Sequence, residues 1–183
     1  MRGFFAMGVE GLSKPMNLGN LMRSANAFGA HFVFTVAADR RLSGRVPADT
    51  SKSQNHVPYY AWPDVDSMDL PRGCRLVGVE LIDEAIDLPS FGHPLRAAYV
   101  LGAERGSLSQ PMLARCDHVV RIPTAFCINV AIAGAIVMYD RVRSLGRFPD
   151  RALFDNKQAE PLSEHQHGGP KIRKNRKLPG WDY

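Results

Sequence analysis

The chain has 183 residues, 45% of them hydrophobic and 22% charged, which supplies apolar side chains for one sizeable core and too little length for two comfortable domains. Its formal charge of +5 favours a polyanionic partner, and no stretch approaches the roughly 20 unbroken apolar residues of a spanning helix. The three cysteines, Cys74, Cys116 and Cys127, are an odd number without CxxC spacing, which argues against a disulfide framework and a structural zinc site and fits a reducing cytoplasm.

In chain order, MRGFFAMG gives way to Val9-Glu10-Gly11 where a secretory leader would need a longer apolar region. Phe4 to Val9 is instead expected to be a buried strand. Leu18, Leu21, Met22, Ala25 and Phe28 then repeat at helical spacing, with Asn17 expected at the N-cap and Gly29 at the stop. Ala30 to Ala37, Arg75 to Leu81 and Ala97 to Leu101 are further β-branched or apolar runs with the character of strands. Ser109 to Ala114 reads as a short helix, His118 to Ile122 as a strand, and Asn129 to Leu145 as a long helix. The alternation predicts an α/β fold with a mostly parallel sheet. The domain is set at residues 1–150, with residues 151–183 as a C-terminal extension ending in a basic tail.

The last helix is apolar on every face from Val130 to Met138, so it is expected to be covered on two sides. Two readings stand: burial within the monomer, or packing on a second copy through Gly134 and the alanines. From Leu162 onward apolar residues almost vanish, and Lys171, Arg173, Lys174, Arg176 and Lys177 form a basic run suited to phosphate contacts, with Trp181 and Tyr183 able to stack on bases. His165 and His167 are too few ligands for a metal, and none is expected.

Three stretches carry chemistry. Asn17-Leu18-Gly19-Asn20-Leu21-Met22-Arg23 opens a helix, and at about 100° per residue Arg23 falls nearly opposite the apolar stripe. Such an arginine is either an ordinary solvated side chain or a fork of donors for a phosphate. Leu101-Gly102-Ala103-Glu104-Arg105-Gly106 takes a strand into a glycine-containing turn, which admits a ligand close to the backbone. It has neither the Gly-Lys-Ser/Thr ending of a P-loop nor the spacing of a dinucleotide fingerprint, and its glutamate suits a cationic or donor-bearing ligand. Ile122-Pro123-Thr124-Ala125-Phe126-Cys127-Ile128-Asn129 runs from a strand end into the apolar helix, with Asn129 at the cap position and Cys127 either a small core residue or a thiol facing a site.

Together and in this order, these stretches resemble the signature motifs of the SpoU (TrmH-like) methyltransferases of the SPOUT superfamily: NxGxxxR, then LGxExxG, then IP followed by a short loop and a small-apolar-Asn triplet. The resemblance spans about residues 4 to 148. It implies an α/β domain with a C-terminal trefoil knot, S-adenosylmethionine as cofactor, and a homodimer through the last helix. The implied activity is methylation of a ribose 2′-hydroxyl in tRNA or rRNA. By the same resemblance, Leu101, Gly102, Glu104, Ile122, Cys127, Ile128 and Asn129 fall at cofactor positions, and Arg23, Asn17 and Glu104 at catalytic ones. Arg23 and the basic tail would contact RNA. The family usually has serine where Cys127 stands, which leaves any hydroxyl-dependent contact there in doubt. Two rivals are kept: a cysteine-nucleophile base methyltransferase, against which stands Phe126 in place of the usual proline before the cysteine, and a catalytically silent RNA-binding module of the same fold.

Overall fold

The first apolar run becomes a strand, β1 (Phe4–Glu10), that is buried almost throughout because its side chains are covered on both faces of the pleat. The computed structural model describes residues 3–42, 56–103, 106–146 and 148. Glu104 and the basic residues Lys171, Arg173, Lys174, Arg176 and Lys177 therefore lie outside the described residues. After β1 come helix α1 (Pro15–Phe28), strands β2 (Phe32–Val36), β3 (Tyr59–Trp62), β4 (Arg75–Val79), β5 (Ile86–Asp87) and β6 (Arg96–Leu101), helix α2 (Gln110–Arg115), strand β7 (His118–Arg121) and helix α3 (Val130–Leu145). The seven strands form one sheet in the order β3-β2-β1-β6-β4-β7-β5, and every pairing is parallel. The expected α/β architecture is present. Two short edge strands were not anticipated: β3, although Tyr59-Tyr60-Ala61-Trp62 is an aromatic run, and β5, which is only Ile86-Asp87.

Alternation along the strands sorts the core. Phe5, Met7 and Val9 face one side, with Val33, Tyr99 and Leu101, and pack against α1 and α3. Ala6, Phe34, Val36, Ala98 and Val100 face the other side, over Leu108 and Met112 of the α2 region.

Helix α1 ends as expected, with Gly29 at φ 74° in the left-handed region. Its start differs from the expected one. Pro15 opens the first turn, Lys14 holds the cap position without a side-chain hydrogen bond, and Asn17 is buried inside the helix. Proline's fixed φ and missing N–H suit that first position, so the helix begins three residues earlier and Asn17 is released for another task.

Helix α3 settles against α1, with Gly134 at the contact: a Cβ there would lie 2.5 Å from the Leu21 Cδ1. Gly134 thus serves close packing inside the chain rather than against a second copy. Coverage is on one side among the described residues. Val130, Ala133, Val137 and Met138 are buried, while Ile132 and Tyr139 are each 57% exposed.

Away from the functional end, α3 is tied to the sheet by a buried polar chain. Arg141 donates to Pro94 O (2.6 Å), Leu95 O (2.9 Å) and Tyr99 Oη (3.1 Å). Tyr99 Oη lies 2.7 Å from His93 Nδ1, and His93 Nε2 lies 2.9 Å from Asp140. These contacts are all satisfied when His93 is neutral, with its proton on Nε2 toward Asp140 and Nδ1 accepting from Tyr99. Burial, together with the Arg141 charge, pushes His93 below the ordinary histidine range and outweighs the pull of Asp140. A histidine whose folded value lies below its unfolded one contributes stability above the unfolded value, near 6.5, and loses it as pH falls through the folded value. Thermal melting should therefore be flat above that range and drop on acidification. The drop should shrink in His93→Gln, and an equal drop in both proteins counts against the assignment.

Candidate functional site

The strand register brings four carboxyl ends level: Val9 is opposite Leu101, Leu101 opposite Val79, and Val79 opposite Val120. From β1 the chain turns toward β2 through α1 on one face, whereas from β6 it turns toward β7 through α2 on the other. Ligands of open parallel sheets bind where connections diverge in this way. A pocket of about 460 Å³ lies there, over the ends of β4, β6 and β7. Leu101, Gly102, Ile122, Cys127, Ile128 and Asn129 all line it, and so does Asn17. The second and third sequence stretches are thus brought together, and the first reaches them through Asn17.

That connection is a hydrogen bond. Asn129 Nδ2 donates to Asn17 Oδ1 at 3.1 Å, while Asn129 Oδ1 accepts from the backbone N–H of Ala131 (2.9 Å) and Ile132 (3.3 Å). One side chain caps α3 and joins it to α1. Thr124 Oγ1 lies within bonding distance of the carbonyls of Ile122 and Phe126, which folds the third loop back on itself. Cys127 is exposed rather than a core residue. No hydrogen bond joins its thiol to another described residue, so the general base that a cysteine nucleophile needs has no candidate in contact with it.

Two glutamates that the sequence motifs do not include hold the loop after β6. Glu80, just past β4, accepts from Leu108 N at 2.6 Å through Oε2 and from Leu81 N at 3.0 Å through Oε1. Glu10, at the end of β1 and only 8% exposed, accepts from Ser109 N at 2.8 Å and from Ser109 Oγ at 2.6 Å. Ser109 Oγ in turn accepts from Met112 N at 3.2 Å and caps α2. Each glutamate directly follows an apolar strand run, which is the signal the sequence carries for them. Lys14 adds a cation to the pocket lining.

Arg23 stands apart. It lies on the exposed side of α1, roughly 9 Å along the helix axis from Asn17, and does not line the pocket. Among the described residues no group of three or more His, Cys, Asp or Glu is arranged to hold a metal, and no helix is long and apolar enough to cross a membrane.

A parallel sheet whose ligand crevice is built from strand-end loops, with an apolar helix returning from the last of them, defines a class of α/β cofactor-binding domain. Within that class the chain belongs to the SpoU rRNA Methylase family, which it matches over residues 5–139. It is 32% identical over 146 residues to a 23S rRNA (guanosine-2′-O-)-methyltransferase RlmB of Nitrosomonas europaea, covering 74% of this chain and 54% of that protein. It is 30% identical over 151 residues to an RlmB of a Burkholderia species, covering 75% and 58%. The chain therefore spans little more than half the length of these relatives. Its structure resembles the SpoU methyltransferase AviRb of Streptomyces viridochromogenes with a TM-score of 0.68 at 25% identity, over 78% of this chain and 60% of that one.

Proposed function

We propose that this chain is an S-adenosylmethionine-dependent RNA methyltransferase that modifies a ribose 2′-hydroxyl of rRNA or tRNA. The observation that carries the reading is a pocket at the carboxyl ends of the sheet that the second and third motifs both line and to which Asn17 ties the first. Its residues fit the cofactor. The volume falls in the roughly 300–1,000 Å³ range of small-molecule sites. Leu101, Ile122 and Ile128 offer apolar surface for a flat base, and Gly102, which also lines the pocket, lets the loop after β6 close tightly on Glu80 and Leu108. The names of the relatives and a further AviRb structure in complex with AdoMet support the same reading.

When bound, the cofactor supplies an electrophilic methyl group. The residues of this chain do the positioning: Asn129 and Asn17 fix the loop beside the pocket, and Arg23 grips an RNA phosphate so that the adjoining ribose hydroxyl is presented in line. Guanidinium is a poor base in water, so the hydroxyl proton leaves to solvent in this scheme. Glu104 contributes to the second-motif loop. Lys171, Arg173, Lys174, Arg176 and Lys177 add salt-sensitive phosphate contacts. We further infer a homodimer through α3, supported by its exposed Ile132 and Tyr139, and a trefoil knot in which residues after β7 thread past the loop that follows β6. The free thiols of Cys74, Cys116 and Cys127 suit the cytoplasm.

The test is transfer of labelled methyl from S-adenosylmethionine to total rRNA and tRNA by the full chain, followed by mapping of 2′-O-methyl positions. Label in a ribose is the expected result. Label in a base would favour cysteine chemistry, and cofactor binding without transfer to any RNA would favour a silent module.

A further inference from the structure

One charged group in the pocket has no ion-pair partner among the described residues. Glu80 lines the cavity, and its two oxygens accept one backbone N–H each, from Leu81 and Leu108. Among the described residues no Lys, Arg or His forms an ion pair with it. Two amide dipoles moderate a carboxylate's charge but do not neutralise it, and each oxygen keeps acceptor capacity beyond the bond it already makes. Gly102 lies directly against this carboxylate, since a Cβ there would stand 2.9 Å from Glu80 Oε2. The pocket wall at that point is a fixed negative charge next to bare backbone. The other charged lining residue, Lys14, comes from the exposed residues that lead into α1.

We propose that Glu80 is a specificity-determining residue that reads the positive charge of the ligand, so that the pocket prefers the cationic methyl donor to its neutral demethylated product. The inference rests on the cofactor reading above. It assigns to Glu80 more than a loop clamp: the same carboxylate that fixes Leu108 presents its uncompensated charge to the ligand. S-adenosylmethionine and S-adenosylhomocysteine differ by one methyl group and one positive charge, so a neutral wall would separate them little. A carboxylate within several ångströms in a partly desolvated pocket favours the cation by about tenfold. The consequence is release of the product once the charge has left with the methyl group.

Titration calorimetry on the full chain with S-adenosylmethionine, S-adenosylhomocysteine and sinefungin tests this, because sinefungin carries an ammonium in place of the sulfonium. Wild type should bind both cationic ligands more tightly than S-adenosylhomocysteine. Glu80→Gln removes the charge and keeps only one of the two acceptor oxygens, so all affinities should fall, the two cations by about tenfold more than the neutral ligand. Glu80→Asp should keep the wild-type ratio even if all affinities fall. Equal losses for the three ligands in Glu80→Gln would make Glu80 a loop clamp only and overturn the proposal. If that variant does not fold, wild type binding S-adenosylhomocysteine most tightly overturns it equally. A wild-type chain that binds none of the three would instead refute the cofactor reading.

Discussion

Arg23→Ala should lower methyl transfer by roughly a hundredfold or more while S-adenosylmethionine binds within about twofold of wild type. The two halves of this expectation come from different observations. Arg23 does not line the pocket and lies on the exposed side of α1, so its removal leaves the cofactor loops and their clamps untouched. Nothing in the core depends on it either, because the buried side of α1 is carried by Leu18, Leu21, Met22 and Ala25. The loss of turnover follows from the phosphate role, since a planar guanidinium fixes two phosphate oxygens at once and a small misplacement of the ribose is costly in an in-line attack. Arg23→Lys restores charge without the fork and should recover only part of the rate. Equal filter binding of cofactor by both variants, together with near-normal turnover in Arg23→Ala, would remove Arg23 from the reaction.

Much of the frame was legible because long periodic runs carry their own evidence. The strands at Phe4, Phe32, Arg75 and Arg96 are largely apolar runs of a sheet covered on both faces, the strand at His118 shows as a Val119-Val120 pair, and α3 is capped at Asn129 where the sequence places the cap. What was not legible depended on partners distant in sequence. β5, two residues long, is a strand because β7 offers it an edge, whereas β3 pairs with β2 through an aromatic run too short to stand out. Asn17 has the composition of an N-cap, yet Pro15 claims the helix start and Asn129, 112 positions away, claims its side chain. The all-apolar character of α3 predicts cover on two sides, and Gly134 proves to be spent on Leu21 of the same chain. Glu10 and Glu80 escaped the motif reading for the same reason: their partners, Ser109 and Leu108, arrive from a loop far along the chain, and only the level strand ends bring them together.

Gly102→Ala should abolish the site from the other direction, weakening S-adenosylmethionine binding by about a hundredfold and turnover with it. The backbone at Gly102 is not in the left-handed region, so alanine meets no conformational penalty and the effect is one of contact alone. The added Cβ would lie 2.9 Å from Glu80 Oε2, 3.0 Å from Leu108 N and 3.2 Å from Ser107 C. Two of these neighbours are backbone and cannot rotate away, and the third is the carboxylate that holds Leu108 at 2.6 Å. To make room, the loop after β6 must lift, and the clamp between Glu80 and Leu108 opens. Overpacking costs about 1–3 kcal/mol, and a hydrogen bond to a charged group contributes about 1.5–3 kcal/mol. Even part of that sum, lost from the ligand-ready loop, corresponds to about a hundredfold in affinity. Gly92→Ala is the matched control, because a Cβ at that exposed position meets nothing within 4 Å and should leave binding unchanged. If Gly102→Ala bound the cofactor as tightly as Gly92→Ala, the pocket over β4 and β6 would not be where the cofactor sits. The separation from Arg23→Ala is then complete: one substitution spares binding and removes transfer, and the other removes both.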